Sequence, residues 1–197
     1  METPLAFFDV DTQVDFMEPT GKLYVPHAEK IIPHLAQLMA YAREHDIPVI
    51  SSADAHAADD PEFKIWPPHC VAGTHGQQRI KETLLPGALT VPMHAGAFNP
   101  PREWPPQIII EKDVYETSAN PHFDAILKAL GPRRFVVFGV ATEYCVRADV
   151  LALRQYNRPV EIVVDAIQAI TEEGGLKALA EMAAAGAERV KTADVCK

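Results

Sequence analysis

The sequence is poor in cysteine and contains no long apolar run. Its three cysteines are odd in number and widely spaced, so they do not form a disulfide framework, and a reducing cytoplasm is the expected location. No run of about 18 apolar residues is present, and residues 1–10 lack the basic start and apolar segment of a signal peptide. The sequence therefore predicts neither a membrane span nor a secretory leader.

Basic blocks and phosphate-binding glycine motifs are also missing. The chain has 18 Lys and Arg against 27 Asp and Glu, which gives a formal net charge of −9 at pH 7. This charge would repel nucleic acids and anionic membranes. No GxGxxG or Walker pattern is present, so nothing indicates a cradle for nucleotide phosphates. We expect no nucleic-acid or membrane partner.

The hydrophobic pattern predicts an α/β fold. With 197 residues, 48% of them hydrophobic, the chain is expected to form one domain over residues 1–197. Alternation of β-forming and helical runs favours an open, mostly parallel sheet with helices on both faces, a Rossmann-like three-layer arrangement that binds ligands beyond the carboxyl ends of its strands. The pattern predicts strands at Leu5–Val10, Pro48–Ser52, Gln107–Glu111, Arg134–Gly139, Val160–Val164 and near Arg189–Val190, a helix over Glu143–Tyr156, and irregular structure over residues 53–106.

A cysteine after the fourth predicted strand is the most informative residue. The run Val136–Gly139 ends in glycine, and Cys145 follows where a helix is expected to begin. This arrangement would expose a thiol at the carboxyl edge of the sheet and direct a helix N-terminus at the sulfur, which lowers a thiol pKa. We interpret Cys145 as a nucleophile; the alternative is a small buried hydrophobic side chain.

Two charged residues follow other strands at the same edge. Asp11 comes directly after the first strand and is a candidate general base, although a turn or cap residue is the alternative. Lys112 ends the third strand and could pair with a carboxylate near the thiol, although a solvated charge is the alternative. An acid, an amine and a thiol at three strand ends predict one catalytic constellation of Asp11, Lys112 and Cys145.

A second cluster has the composition of a metal site. Asp54 and His56 lie on one side of an extended segment, because alternate residues share a face. His69 could add an imidazole, and Glu62 is a candidate fourth ligand. Such oxygen and nitrogen ligands suit one divalent ion, Zn, Fe(II) or Mn. The alternative is that the histidines bind loop backbone.

Aromatic residues in the loops are candidate walls for a flat ligand. Phe16 and Trp66 lie near the predicted catalytic edge, and ordinary loop packing is the alternative. No role is predicted for His75, His94, His122 or Cys196.

Taken together, the motifs resemble a known family. Their order and spacing are similar to those of the isochorismatase-like cysteine hydrolases and, within them, the nicotinamidases. The resemblance covers about residues 5–169 and is carried by Asp11-x-Gln13-x-Asp15-Phe16, Asp54-x-His56, Trp66-Pro67-Pro68-His69-Cys70, Lys112 and Gly139-Val140-Ala141-Thr142-Glu143-Tyr144-Cys145-Val146.

The resemblance implies an amide hydrolase with a covalent mechanism. It implies a triad of Asp11, Lys112 and Cys145 that converts nicotinamide to nicotinate and ammonia through a thioester. It also implies a cis peptide between Val140 and Ala141, and an oxyanion hole formed by the backbone amides of Ala141 and Cys145.

For the second cluster, the resemblance implies a divalent metal held by Asp54, His56 and His69, with Glu62 as a further ligand. It implies Phe16 and Trp66 as walls for the substrate ring, and a homo-oligomer. The chain departs from the family pattern at Val14, where asparagine is usual, and has a short segment after Lys112.

Three alternatives remain open from the sequence. One is a related amidase that acts on N-carbamoyl, ureido or other small amides. Another is an isochorismatase-type hydrolase, which cleaves a vinyl ether and requires neither the thiol nor the metal. The last is a non-enzymatic binding domain with the same fold.

Overall fold

The core of the fold is a parallel sheet with the strand order β3-β4-β2-β1-β5-β6-β7. The computed structural model of the chain describes residues 3–93, 99, 101 and 103–197, so His94 lies outside the described residues. Every strand pair in the sheet is parallel, as expected for strands joined by helical crossovers. The strands are β1 (Leu5–Val10), β2 (Val49–Asp54), β3 (Leu89–Val91), β4 (Gln107–Lys112), β5 (Arg134–Val140), β6 (Val160–Gln168) and β7 (Glu188–Val190).

Helices cover both faces of the sheet. On one face Phe7 of β1 packs edge-on against Phe138 with 5.8 Å between ring centroids, and on the other Phe8 packs against Phe135 at 6.2 Å. The two core clusters around these rings confirm the predicted three-layer α/β arrangement. The helices are α1 (Val14–Met17), α2 (Ile32–Glu44), α3 (Phe123–Leu130), α4 (Arg147–Gln155), α5 (Glu172–Ala184) and α6 (Thr192–Val195).

All six predicted strands are present, and the structure differs from the prediction at an additional edge strand and at the start of one helix. β3 was not predicted, because it is three residues long and only Val91 is buried. The helix predicted from Glu143 begins instead with a π-helical turn over Thr142–Val146, and α4 follows it. Within the described ranges, no helix is both long enough and apolar enough to cross a lipid bilayer.

The register of the sheet brings the polar strand ends together. Val10 at the end of β1 lies opposite Gly139 of β5, and Asp54 at the end of β2 lies opposite Lys112 at the end of β4. Gly139 has φ +119°, and an added Cβ would lie 2.0 Å from the carbonyl oxygen of Val10, so only glycine fits this close approach. The four strands end at one edge, which carries the candidate site.

Candidate active site

A fully buried lysine is the centre of the site. Lys112 has no exposed surface, and its Nζ lies 2.8 Å from Asp11 Oδ2, forms a second ion pair with Asp54, and lies 3.6 Å from Cys145 Sγ. Because the two carboxylates outweigh the effect of burial, the pKa of Lys112 is raised well above its ordinary value. The predicted constellation is therefore assembled in space around a permanently charged amine.

The two carboxylates beside this lysine differ in their electrostatics. Burial raises the pKa of Asp11, with Lys112 opposing it, whereas the combined effect of Lys112 and His56 outweighs burial and lowers the pKa of Asp54 to about 2. Asp11 also accepts a hydrogen bond of 2.7 Å from the hydroxyl of Ser52, a partner that the sequence did not indicate. Asp11 is thus the more basic carboxylate and the one suited to accept a proton.

Cys145 differs from the sequence-based expectation in two respects, its exposure and its pKa. The thiol lies at the predicted edge, but only 7% of the residue is exposed. Burial raises the pKa of Cys145 well above its ordinary value. Lys112 lowers this pKa, but the negative charges of Asp11 and Asp54 offset part of that effect. The expectation of an exposed thiol with a lowered pKa was therefore wrong. A neutral thiol needs a base, and Asp11 lies within 4.8 Å of the sulfur.

The turn before Cys145 has an unusual backbone. The peptide bond between Val140 and Ala141 is cis, which confirms the expectation taken from the family resemblance. The carbonyl oxygen of Ala141 accepts hydrogen bonds from the amides of Tyr144 and Val146, at 3.0 and 3.2 Å, and so closes the π-helical turn. The role of the Ala141 and Cys145 amides as oxyanion donors stays a prediction.

The candidate metal ligands converge beside the triad. Asp54 Oδ2 lies 3.6 Å from His56 Nε2 and 3.8 Å from His69 Nε2, and all three side chains are buried. The other ring nitrogens are engaged: His56 Nδ1 lies 3.0 Å from Asp60 Oδ2, and His69 Nδ1 lies 2.8 Å from the carbonyl oxygen of Pro67. Both Nε2 atoms therefore face one point, as metal-binding imidazoles do.

An unsatisfied nitrogen supports the fit of this cluster to a cation. Among the described residues, His56 Nε2 is buried without a hydrogen-bond partner. The negative charge of Asp54, 3.6 Å from this nitrogen, and the hydrogen bond of Nδ1 with Asp60 outweigh burial and raise the pKa of His56 to about 9, so this point favours positive charge. An unpaired buried nitrogen is costly unless it binds a partner. The donor set suits a divalent metal.

Glu62 occupies a less direct position than the other candidate ligands. It lines the same cavity but lies outside the group of three ligand atoms that fall within 4.8 Å of one another. Its pKa is raised by burial, with His56 opposing the shift. Cys70, next to His69 in sequence, is buried with its sulfur 3.8 Å from the carbonyl oxygen of Gly76.

Asp15 anchors the loop that carries His69. Its carboxylate accepts hydrogen bonds from the backbone amides of Cys70 at 2.8 Å and Lys22 at 3.0 Å. Gly76 packs directly against this carboxylate, since a Cβ at residue 76 would lie 2.1 Å from Asp15 Oδ2. The aspartate of the first motif therefore supports the candidate metal cluster.

We expect Gly76→Ala to displace Asp15 and loosen the His69 loop. The clash should lower the free energy of unfolding by about 1–3 kcal/mol, the usual cost of overpacking, and weaken Zn²⁺ binding. Denaturant titration and calorimetric Zn²⁺ titration measure the two effects. Gly73→Ala is the matched control in the same loop, because an added Cβ meets nothing there and only the positive φ is strained. Equal Zn²⁺ affinity in both variants would refute the role of Asp15.

A cavity joins the thiol to the metal cluster. Cys145, Asp54 and His69 all line it. Its predicted walls, Phe16 and Trp66, are present, and most of the remaining lining is apolar. The thiol and two of the candidate metal ligands therefore share one largely apolar cavity.

Two further aromatic walls, Tyr115 and Tyr144, were not predicted. Trp66 Nε1 donates a hydrogen bond of 3.0 Å to the hydroxyl of Tyr115, and both rings lie 5.5 Å from that of Tyr144. We call Trp66, Tyr115 and Tyr144 the aromatic wall. Tyr144 could have been found from its position next to the nucleophile, whereas Tyr115 lies in a segment without a periodic pattern.

Among the described residues, the histidines without a predicted role do not line this cavity. His75 is exposed, with Nδ1 3.2 Å from Gln78 Oε1, and His122 is buried beside Asn120, whose side chain accepts the His122 backbone N–H at 2.9 Å. Cys196, near the end of the chain, is partly exposed.

With the site geometry established, comparison with known proteins identifies the family. The family described as Isochorismatase domain matches residues 6–194. This chain belongs to the isochorismatase domain family. It is 27% identical over 212 residues to the nicotinamidase of Escherichia coli (strain K12), covering 97% of this chain and 96% of that protein.

Solved structures of the family share its fold. The pyrazinamidase of Pyrococcus horikoshii in complex with zinc is 29% identical, with a TM-score of 0.78 over 95% of this chain and 98% of that one. The N-carbamoylsarcosine amidase of Thermoplasma acidophilum has a TM-score of 0.76 over 96% of each chain, but at 24% identity this likeness shows the fold alone.

Proposed function

We propose that this chain hydrolyses a small, neutral aromatic carboxamide, most specifically nicotinamide, to the carboxylate and ammonia. It is a hydrolase of amide carbon–nitrogen bonds, as its family and its nicotinamidase relatives indicate. The observation that carries the proposal is the cavity in which a thiol, a metal-type cluster and aromatic walls meet. This combination suits an amide attached to a flat ring.

In the proposed reaction, Cys145 is the nucleophile and Asp11 the base. Asp11 takes the thiol proton as the sulfur attacks the carbonyl carbon, and the tetrahedral oxyanion is held by the amides of Ala141 and Cys145. Asp11 then gives its proton to the departing nitrogen, which releases ammonia and leaves a thioester. Asp11 then takes a proton from the water that attacks the thioester and returns it to the departing Cys145 sulfur, which releases the carboxylate and restores the thiol.

Lys112 stays protonated throughout this scheme. Its ion pair with Asp11, at 2.8 Å, orients the base and balances the negative charge that develops around the sulfur. The raised pKa of Asp11, caused by burial, brings its basicity closer to that of the thiol than an exposed aspartate would allow.

Asp54, His56 and His69 would hold one divalent metal, with Glu62 as a further ligand and Zn, Fe(II) or Mn as the ion. When bound, the metal would supply a Lewis acid for the ring nitrogen of the substrate. Asp60 and the Pro67 carbonyl orient the two imidazoles. The aromatic wall and Phe16 would flank the ring.

The lining of the cavity disfavours the alternative of an amidase for N-carbamoyl or ureido compounds that carry their own carboxylate. Among the described residues that line it, the charged side chains are Asp54 and Glu62, and neither lysine nor arginine is present. A substrate with its own carboxylate would find no cationic side chain in this lining to pair with. Vinyl-ether hydrolysis requires neither the thiol nor the metal cluster, so it leaves both features of the cavity unexplained. A neutral amide agrees best with the site.

Nicotinate formation tests this proposal. Protein loaded with Zn²⁺, Fe²⁺ or Mn²⁺ should release nicotinate and ammonia from nicotinamide, and chelation should abolish most of this activity until metal is restored. N-carbamoylsarcosine should release little ammonia under the same conditions. Ammonia from N-carbamoylsarcosine without nicotinate from nicotinamide would contradict the proposed substrate.

The location and assembly of the chain are part of the same proposal. Its three free cysteines are compatible with a reducing cytoplasm, where we place it. We also propose that it forms a homo-oligomer, on the basis of the family resemblance.

A further inference from the structure

A further buried aspartate follows the nucleophile by about one helical turn. Asp149, in the first turn of α4, follows Cys145 by four residues and is 1% exposed. Its Oδ1 accepts a hydrogen bond of 2.7 Å from the backbone amide of Thr117, and its Oδ2 accepts one of 2.8 Å from the Thr117 hydroxyl. Both groups are buried, so water does not compete for these bonds.

The pairing with Thr117 closes a short segment of the cavity wall. The segment 113–116 begins after Lys112, which contacts the Cys145 sulfur, and it ends at Thr117, which Asp149 holds. Only four residues separate these two anchors. Tyr115 lies between these anchors and forms part of the aromatic wall. Its hydroxyl accepts the hydrogen bond from Trp66, and the residue is 41% exposed. Without an anchor, so exposed a ring would lose its fixed position.

Asn120 provides a second attachment that does not involve the nucleophile. Its side chain donates to the carbonyl oxygen of Glu111 at 2.8 Å and so ties the same region back to β4. Asp149 is different, because it ties the region to the helix that follows Cys145.

Burial raises the pKa of Asp149 to about 7, with Lys112 opposing this shift. The Thr117 hydroxyl can pair with either the charged or the neutral carboxyl group, because it both donates and accepts hydrogen bonds.

We propose that Asp149 is a positioning residue that holds Tyr115, through Thr117, at a fixed distance from Cys145 and thereby sets the affinity for the substrate ring. The inference rests on the proposed function, since it names the ring of an aromatic amide as the group that the wall binds. Asp149 acts through Tyr115 and touches neither the thiol nor the substrate in this scheme.

Steady-state kinetics of single and double variants test the proposal. Asp149→Ala should raise KM for nicotinamide about tenfold. The value of kcat, calculated from the concentration of protein with a reactive Cys145 thiol, should change less than about threefold. Tyr115→Ala should raise KM similarly, and the double variant should be no worse than Tyr115→Ala alone. Asp149→Asn should restore KM to within about twofold of wild type, because an amide can accept from the Thr117 N–H and donate to its hydroxyl.

Asp165 offers a matched control outside the cavity lining. It accepts the same pair of bonds from the amide and hydroxyl of Thr192, at 2.8 and 2.9 Å, between β6 and α6. Asp165→Ala should lower stability without changing KM. Additive effects of Asp149→Ala and Tyr115→Ala, or a fall in kcat at constant KM, would overturn the positioning role.

A fluorescence measurement separates this inference from the proposed function. Trp66 can be observed alone after Trp104→Phe, since the chain has two tryptophans. Asp149→Ala should then shift the Trp66 emission as Tyr115→Ala does, and Asp149→Asn should not. If nicotinamide is not hydrolysed but these shifts occur, the proposed function fails and the positioning role stands. Unchanged emission in Asp149→Ala would refute the positioning role whatever the substrate.

Discussion

Replacing Cys145 with alanine is expected to lower kcat for nicotinamide by at least about 10⁴-fold, because no thioester can form. The cavity keeps its aromatic walls and its candidate metal ligands in this variant. Zn²⁺ and nicotinamide should therefore still bind although catalysis is lost. Turnover is measured as nicotinate released, and binding as calorimetric titration with Zn²⁺ and then with nicotinamide.

Cys196→Ala is the control for the loss of a thiol as such. Cys196 is partly exposed and lies outside the cavity lining, so its removal should leave turnover within about twofold of wild type. Near-normal turnover by Cys145→Ala would refute the covalent scheme. Loss of both turnover and Zn²⁺ binding would show that the variant had lost the site rather than the nucleophile.

Replacing Lys112 with methionine is expected to have the largest effect on stability. The change leaves Asp11 and Asp54 buried at close range without their shared cation, and breaking a buried ion pair in this way costs about 3–5 kcal/mol. The free energy of unfolding, measured by urea titration at pH 7, should fall by that amount. Activity should fall with it, because the base loses its orientation.

Two further variants define the source of this loss. Lys128→Met removes an exposed lysine on α3 and should change the free energy of unfolding by less than about 0.5 kcal/mol. Adding Asp11→Asn to Lys112→Met should recover part of the stability, because one uncompensated charge is removed. A Lys112→Met protein as stable as wild type, or no recovery in the double variant, would contradict the proposed electrostatics.

The sequence was sufficient for the architecture and for the residues at strand ends. Each buried parallel strand leaves a nearly continuous apolar run in the sequence, so the sequence alone predicts the edge that gathers Asp11, Asp54, Lys112 and Cys145. β3 escaped prediction because it is short, and its pairing with β4 depends on a neighbour that is distant in sequence.

The electrostatics and the supporting contacts could not be predicted in the same way. The pKa of Cys145 depends on burial and on two carboxylates brought in by other strands, so an argument from the following helix alone had the wrong sign. Asp60 and Asp149 act through pairings with His56 and Thr117 that only the folded loops create. Residues that support others leave weaker sequence patterns than residues that carry the chemistry.

Peptide-resolved alkylation tests the central claim, that Cys145 is the reactive thiol of a cavity shared with Asp11 and Lys112. With limiting iodoacetamide near neutral pH, loss of nicotinamide hydrolysis should follow one-to-one the modification of the peptide that contains Cys145, and nicotinate should slow both. Modification of Cys196 should not affect activity, and buried Cys70 should not react. Full activity with Cys145 alkylated, or lost activity with Cys145 intact, would contradict the account.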